Sequence, residues 1–249
     1  MSIGKRLYQI WVWFCFIVVF LLIYPFFVLF SFRDSWKKYG HFFNKVWAYT
    51  VFGSCLLRAK VEFRFKPDKK QPYVYCANHS SYLDIPSLCY ALSGYFLFIG
   101  KASLAKVPLF GYMFRSYYIA VNRHSKLSKY ETIQRSFEAI DKNRSLAFFP
   151  EGTIPKNADY QMIPFKDGAF RVAIEKQVPV VPVTIPYNWL ILPDDGKFVP
   201  NRRLMKVIIH EPIETTGMTL DDIEELKNRT FDIIQRELII QNKEEVALV

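Results

Sequence analysis

The sequence predicts an α/β fold: a mixed, largely parallel sheet flanked by helices, preceded by a two-helix apolar segment. From about residue 60, short β-rich apolar runs alternate with helix-like stretches, and this alternation is typical of a sheet covered by helices. The residues before it instead contain long uncharged runs. We therefore expect a membrane-anchoring helical hairpin over residues 1–59 and a separate α/β domain over residues 60–249.

The first apolar run covers residues 10–30 and contains no charged residue. A helix of this length can cross the hydrocarbon core of a bilayer. Lys5 and Arg6 precede it, as basic residues precede the apolar core within a signal peptide. The run is too long for a signal core, however, and no small-residue cleavage site follows it. We therefore expect a retained membrane helix.

A second apolar stretch, residues 42–57, is shorter and contains polar residues. This pattern favours an amphipathic helix at the membrane interface, with Trp36, Trp47 and Tyr49 as anchors. Basic residues flank the first segment on both sides, so charge does not decide its orientation. We prefer a hairpin that enters one leaflet with both ends cytoplasmic, and a single span is the alternative.

Apolar runs and helical patterns predict the strands and helices of the α/β region. Apolar runs predict strands at 61–65, 73–77, 96–100, 117–121, 145–149, 180–185 and 205–210. Helical patterns lie at 82–92, 127–141, 168–176 and 219–241. The last helix opens on Thr219 and Asp222 at capping-box spacing.

Charge and cysteine content narrow the class of protein. The net charge is +10, and eight basic residues in the first 60 stand against Asp34 alone, a local +7. A basic, aromatic and apolar N-terminus favours an anionic membrane surface as partner. Nucleic acid is not expected, because no nucleic-acid motif accompanies the charge. The four cysteines form no C-x-x-C pair, which indicates free thiols in a reducing compartment.

The most informative motif places His79 five residues before Asp84, directly after an apolar run. Such spacing can put an imidazole at a strand end and a carboxylate on the next turn. A carboxylate fixes the imidazole tautomer and stabilises its charged form, so the ring can take a proton from a hydroxyl. Ser80 and Ser81 suit a helix N-terminus, where capping is their expected role.

Competing catalytic classes lack their motifs. The chain contains no G-x-S-x-G nucleophile elbow, which a serine hydrolase requires. The segment from Gly94 to Lys101 fails as a P-loop, because Ala102 stands where Ser or Thr is needed. There is no H-E-x-x-H sequence and the four histidines are scattered, so no metal site is expected.

A second motif, Phe149-Pro150-Glu151-Gly152-Thr153, follows another apolar run. Taken alone, this pattern fits an ordinary strand-to-loop turn equally well. Functionally, Glu151 can bond a substrate hydroxyl, and Gly152 lets a ligand approach the backbone. Basic residues that could hold a phosphate lie nearby in sequence: Lys101, Lys106, Arg123, Lys156 and Lys166. Arg123 is preferred, because it closes a predicted strand and can bind phosphate as a fork.

Taken together, these motifs resemble those of the 1-acylglycerol-3-phosphate acyltransferase (lysophosphatidate acyltransferase) family, and the two apolar N-terminal segments resemble its bacterial members. Four blocks match in order over about residues 60–215. They are Asn78-His79 with Asp84, then Lys101 with Pro108, Gly111 and Arg123, then the 149–153 motif, and then residues 178–183.

The resemblance implies the glycerolipid acyltransferase fold and transfer of an acyl group to the sn-2 hydroxyl of 1-acyl-sn-glycerol-3-phosphate, forming phosphatidic acid. His79 and Asp84 would be catalytic. The residues expected to bind substrate are Lys101, Arg123, Glu151, Gly152, Thr153, Lys156 and Lys166. The donor would be acyl-CoA or acyl carrier protein, and no cofactor is expected. The expected location is the inner (cytoplasmic) membrane, with the catalytic domain facing the cytoplasm.

One position departs from the family pattern. An arginine usually follows the Glu-Gly-Thr sequence and helps to hold the acceptor phosphate, whereas this chain has Ile154. Lys156 could substitute, although a lysine is a point charge and not a fork. Glycerol-3-phosphate and a lyso-aminolipid therefore stay open as acceptors. A membrane-bound lipid esterase and a catalytically silent membrane-binding protein are the rival classes.

Overall fold

The computed structural model of the protein describes residues 2–68, 70–155 and 159–247, with side chains described through residue 243. Its strands are β1 Ala59–Phe63, β2 Val74–Ala77, β3 Phe96–Lys101, β4 Ile119–Val121, β5 Ser145–Phe148, β6 Val180–Thr184 and β7 Met205–Ile209. Its α-helices are α1 Ile3–Ser31, α2 Lys37–Ser54, α3 Asp84–Ala91, α4 Phe110–Tyr117, α5 Lys126–Asp141, α6 Gly168–Lys176, α7 Asn188–Ile191 and α8 Ile223–Ala247. Short 3-10 helices occupy Asp34–Trp36, Ala102–Lys106 and Leu220–Asp222.

The seven strands form one sheet in the order β1-β7-β6-β2-β5-β3-β4. Every strand pair is parallel except β6–β7. The predicted mixed, largely parallel sheet is therefore confirmed, and each predicted strand overlaps an observed one. The central strands β2 and β6 are buried throughout, as expected for strands that helices cover on both faces.

The direction of each crossover assigns the helices to two layers. The chain moves one way along the sheet from β2 through β3 to β4, and the opposite way from β4 through β5 to β6. Because crossovers between parallel strands are right-handed, α3 and α4 lie on one face and α5 and α6 on the other. The remaining helices extend these layers: α8 contacts α6, α2 contacts α3, and α1 contacts α2 and α4.

Two α-helices, α4 and the four-residue α7, were missed by the sequence analysis. The expected strand 117–121 is shorter, because Tyr117 is the last residue of α4 and Tyr118 follows as its cap. Two consecutive tyrosines favour a strand by propensity. Tertiary contact overrides that preference, since the Tyr117 hydroxyl donates a hydrogen bond to the Phe27 carbonyl of α1 at 2.7 Å.

The two N-terminal helices form an antiparallel hairpin. Ring contacts pair Phe30 with Tyr39, Phe26 with Phe43 and Phe16 with Trp47 along their length. The expectation that Trp47 anchors α2 in the membrane interface is wrong, because Trp47 is buried against α1 and its ring nitrogen bonds the Phe16 carbonyl. A period-3.6 pattern shows that a face is apolar but not which surface covers it.

An ion-pair cluster ties the hairpin turn to the α/β part. The Asp34 carboxylate accepts hydrogen bonds from Arg144 at 3.1 and 2.6 Å. Lys142 approaches the same carboxylate at 3.4 Å and Lys37 at 3.6 Å. The Arg144 hydrogen bond is the main reason that the pKa of Asp34 falls to about 2. The turn is therefore held where β5 begins.

Candidate active site

Four loops converge at one edge of the sheet. Strands β2, β5, β3 and β4 are neighbours and run parallel, so their carboxyl ends meet at the same edge, where α/β proteins bind ligands. His79 follows β2, the 149–153 motif follows β5, Lys101 ends β3, and Arg123 follows β4. The sheet order thus brings together residues that are far apart in sequence.

His79 and Asp84 are in direct contact. The Nδ1 atom of His79 lies 2.9 Å from Oδ2 of Asp84. The same oxygen accepts the backbone N–H groups of Ser80 at 2.7 Å and Ser81 at 2.9 Å. Asp84 is fully buried, whereas the His79 side chain keeps 14% of its surface exposed. Buried carboxylates need such donors to stay charged, and the pair therefore leaves Nε2 as the ring nitrogen that can exchange a proton.

The His79 ring is also held by stacking. Its centroid lies 4.1 Å from that of Phe149, with 17° between the planes. Phe149 in turn stacks with Phe98 of β3 at 6.3 Å. The sequence analysis treated Phe149 only as the first residue of a motif and assigned it no role. The strand order places Phe149 in the loop beside β2, where its ring stacks against the imidazole and fixes the orientation of that ring.

Asn188, another residue that sequence reasoning missed, completes the environment of Asp84. Its amide nitrogen lies 2.9 Å from Oδ1 of Asp84 and 2.9 Å from Oγ of Ser87. It is fully buried at the start of α7. Asn188 follows Asp84 by 104 residues, and it belongs to no pattern in the sequence that could have found it.

Glu151 faces the interior. It is 2% exposed, and its two oxygens accept the backbone N–H groups of His79 at 2.8 Å and Ile163 at 3.1 Å. Burial raises the pKa of Glu151 to about 7, although the two backbone donors act in the opposite direction. In this arrangement the carboxylate joins two loops of the site, and its predicted contact with a substrate hydroxyl stays a prediction.

Arg123 and Lys166 flank Gly152. The backbone of Gly152 is left-handed, with φ of +78°, and a Cβ placed there would lie 3.1 Å from Cε of Lys166 and 4.0 Å from Cζ of Arg123. Arg123 is half-buried, and desolvation lowers its pKa. No described acidic residue forms an ion pair with Arg123. The two cations therefore form a site suited to an anion beside a backbone that glycine alone leaves open.

The other predicted substrate-binding residues lie farther out or outside the described residues. Lys101 is exposed and pairs in register with Val121, two residues before Arg123. Thr153 is exposed, and its hydroxyl bonds the Ile154 carbonyl at 3.3 Å. Lys156 lies outside the residues that the structure describes.

This arrangement combines an oriented imidazole with a cationic pair. The ring can accept a proton from an alcohol and hold the resulting charge against Asp84. The cations can position an anionic group of the same substrate. The site is thus suited to activating a hydroxyl on a phosphorylated acceptor.

Comparison with known proteins finds related acyltransferases. A family model described as Acyltransferase matches residues 58–186. The chain is 30% identical over 207 residues to the 1-acyl-sn-glycerol-3-phosphate acyltransferase of Haemophilus influenzae, and the match covers 80% of each chain. It is 33% identical over 199 residues to the chloroplastic enzyme BAT2 of Brassica napus, where the match covers 79% of this chain and 56% of the relative. The chain thus spans only about half the length of its plant relatives.

The fold also matches a solved structure. The crystal structure of the 1-acyl-sn-glycerophosphate acyltransferase PlsC from Thermotoga maritima superimposes with a TM-score of 0.80. The match covers 96% of this chain and 97% of that one, at 23% sequence identity. At this identity the likeness establishes the fold, including the region of the two N-terminal helices.

Proposed function

Because this chain belongs to the acyltransferase family, we propose that it transfers a fatty acyl group from an acyl thioester to the sn-2 hydroxyl of 1-acyl-sn-glycerol-3-phosphate. The product is phosphatidic acid, a precursor in phospholipid biosynthesis. The donor is acyl-CoA or acyl carrier protein, and the reaction uses no cofactor. The observation that carries the proposal is the 2.9 Å contact of the His79 ring with buried Asp84.

In the proposed mechanism, Nε2 of His79 takes the proton of the acceptor hydroxyl as the oxygen attacks the thioester carbonyl. The carbon–oxygen bond forms, the carbon–sulfur bond breaks, and the thiolate leaves with the proton that His79 returns. Asp84 keeps the Nδ1–H tautomer and stabilises the imidazolium. The acceptor is itself the nucleophile, so no acyl-enzyme is needed.

The acceptor phosphate is proposed to lie between Arg123 and Lys166, next to Gly152. The position of this pair beside Gly152 supports the proposal. Arg123 supplies a guanidinium fork in a chain that has Ile154 where the family usually has a further arginine. Lys101, Thr153 and Lys156 remain proposed contacts. We expect Arg123→Ala to raise the acceptor KM, and unchanged acceptor kinetics would refute this phosphate site.

The N-terminal hairpin is proposed to place this site at the membrane. Helix α1 is long and apolar enough to cross a membrane by length and composition. Helix α1 is nevertheless held against the α/β part, because Gln9 donates a hydrogen bond to the Lys197 carbonyl and Ser31 bonds the Tyr112 hydroxyl. These contacts favour a hairpin within one leaflet. Residues 1–59 then act as the anchor and 60–249 as the catalytic domain, on the cytoplasmic side of the membrane.

The test is an assay of the detergent-purified protein with lysophosphatidate, glycerol-3-phosphate and a lyso-aminolipid, each with both thioester carriers. We expect acylation of lysophosphatidate. Preference for another acceptor would refute lysophosphatidate as the substrate, and lipid hydrolysis without a thioester would identify an esterase.

Substitution of the catalytic pair tests the mechanism. We expect His79→Ala to lower kcat by about 10²–10⁴-fold, the usual contribution of general acid–base catalysis, and Asp84→Asn to impair catalysis similarly. Both variants should still fold and sediment with membranes. Full activity in either variant would refute the mechanism.

A further inference from the structure

The loop between α7 and β7, residues 192–204, connects helix α1 to the loop that carries His79. At its start, the Leu192 carbonyl accepts a hydrogen bond from Ser81 Oγ at 2.7 Å. Farther along, the Phe198 carbonyl accepts from the Trp13 ring nitrogen at 3.2 Å and from Gln9 at 3.3 Å. The α7–β7 loop is therefore bonded to the catalytic loop at its start, and Phe198 is bonded to the N-terminal half of α1.

Three aromatic side chains follow the same path. The Phe198 ring lies 6.3 Å from that of Trp13 and 5.9 Å from that of Tyr82. Tyr82 comes three residues after His79 in the catalytic loop. Phe198 and Tyr82 stay 36% and 51% exposed. We call Trp13, Tyr82 and Phe198 the aromatic surface.

The backbone at Phe198 is unusual for a bulky residue. Its φ is +50°, a left-handed conformation that is unfavourable for a residue with a Cβ and is kept only where surrounding contacts impose it. The hydrogen bonds from Trp13 and Gln9 to the Phe198 carbonyl hold the backbone at this residue. The Phe198 ring is thereby kept partly exposed between Trp13 and Tyr82.

Helix α1 extends the aromatic surface with exposed apolar side chains. Ile10 and Ile17 lie one turn before and one turn after Trp13 on that helix, and they are 66% and 53% exposed. A bilayer lipid in contact with this helix face would therefore meet further apolar surface toward the catalytic loop. Because the faces of the exposed rings are apolar and uncharged, the ligand that they suit is a hydrocarbon chain.

The strand order places the aromatic surface and the cationic pair on different sides of His79. The α7–β7 loop joins β6 and β7 on one side of β2, whereas Gly152 follows β5 and Arg123 follows β4 on the other. A ligand that reaches both must carry an apolar chain and an anionic group, with its reacting hydroxyl between them. A lysophosphatidate acceptor has this layout.

We propose that the aromatic surface of Trp13, Tyr82 and Phe198 binds the acyl chain of the acceptor lysolipid as it moves from the bilayer to His79. This inference rests on the proposed function. The acceptor is favoured over the donor because the acceptor resides in the membrane, which α1 is proposed to enter. The donor thioester is delivered by a soluble carrier.

The test compares two acceptors with one donor. Phe198→Ala and the wild-type protein are assayed with oleoyl lysophosphatidate and with its short-chain hexanoyl analogue. We expect Phe198→Ala to lower kcat/KM for the oleoyl acceptor about tenfold, which corresponds to about 1.4 kcal/mol. The hexanoyl acceptor should be affected less than about twofold, because its chain has little apolar surface to lose. Phe198→Leu should restore most of the oleoyl rate.

Phe63→Ala is the matched control. Phe63 is exposed to a similar extent, 43%, but it lies on β1, an edge strand of the sheet outside the aromatic surface. The Phe63→Ala variant should therefore acylate both acceptors at the wild-type rate. Thermal melting establishes that each variant is folded.

Two results would overturn the inference: an equal loss with both acceptors, or no loss with either. Wild-type protein that acylates neither acceptor would instead refute the proposed function.

Discussion

At the scale of single residues, the site depends on how one buried carboxylate is satisfied. Asp84 has three donors within its own loop, and the fourth, Asn188, comes from α7. Removing one partner leaves a buried acceptor unsatisfied, which costs about 1–3 kcal/mol. Asn188 therefore acts through Asp84 as a positioning residue for His79.

We expect Asn188→Ala to lower kcat about tenfold while the acceptor KM changes little, because orientation of the imidazole is lost and substrate contacts are kept. Steady-state kinetics measure this split. Asn201→Ala is the control, since the Asn201 amide likewise donates a side-chain hydrogen bond, to the Leu190 carbonyl, but does not contact Asp84. Equal kcat values for the two variants would contradict the assigned role.

Glu151 makes stability depend on pH. Its pKa is about 7 in the folded protein and 4.5 for an ordinary glutamate. Between these values the folded state binds more protons than the unfolded state. The free energy of unfolding should therefore fall as pH rises from about 4.5 to about 7. At about 1.4 kcal/mol per pKa unit, the total effect is on the order of 3 kcal/mol.

We expect Glu151→Gln to flatten this part of the stability profile, because an amide does not ionise. It should also be less stable than the wild type at low pH. The two oxygens of Glu151 each accept a backbone N–H group, and the amide nitrogen of Gln cannot accept either hydrogen bond. Denaturant unfolding across the pH range measures both effects. Exposed Glu131→Gln should keep the wild-type slope, and a wild-type slope in Glu151→Gln would show that Glu151 does not cause it.

At the scale of elements, α2 belongs to the packed core as much as to the hairpin. Its buried residues include Ala48, Val51 and Phe52. At Gly40 the helix approaches α4 so closely that a Cβ would lie 2.1 Å from the Tyr117 hydroxyl. That hydroxyl also bonds α1. One glycine thus allows α1, α2 and α4 to meet.

We expect Gly40→Ala to destabilise the protein by about 1–3 kcal/mol, the usual cost of overpacking. Gly53→Ala in the same helix is the matched control. A Cβ there meets nothing within 4 Å, so the change should be neutral or stabilising through helix propensity. Melting temperatures of the two variants measure the difference, and equal values would mean that α2 does not pack on Tyr117.

At the scale of the whole molecule, charge and apolar surface are combined on one side of the sheet. The hairpin covers the layer that contains α3 and α4, and the basic residues of its turn include Arg33, Lys37 and Lys38. Helix α8 lies in the opposite layer. Binding to an anionic bilayer should therefore depend on the turn, with each basic residue near the surface contributing about 1 kcal/mol.

We expect the double change Lys37→Gln and Lys38→Gln to weaken binding to anionic vesicles by about ten- to thirtyfold. The effect should shrink in high salt, because salt screens exposed charges. Arg229→Gln with Lys243→Gln on α8 is the control and should bind as the wild type does. Vesicle co-sedimentation gives both values, and similar losses in the two variants would contradict this membrane orientation.

Features of the molecule were predictable from the sequence where the residues that determine them lie close together along the chain. The seven strands and the contact of His79 with Asp84 followed from the sequence, because strand periodicity and a five-residue spacing are local properties. The missed helix α4 and the buried Trp47 are determined by contacts with α1. Neither contact leaves a local signal in the chain.

The sequence alone determined the chemical groups of the site and the strand ends that carry them, since both are set within a few residues. The tertiary structure decided which groups meet. The sheet order places Arg123 and Lys166 beside Gly152 and stacks His79 on Phe149. It also buries Glu151 and brings Asn188 into contact with Asp84. The physical reason is that the partners in these contacts come from different loops and helices, and packing of helices on the sheet determines which of those segments become neighbours.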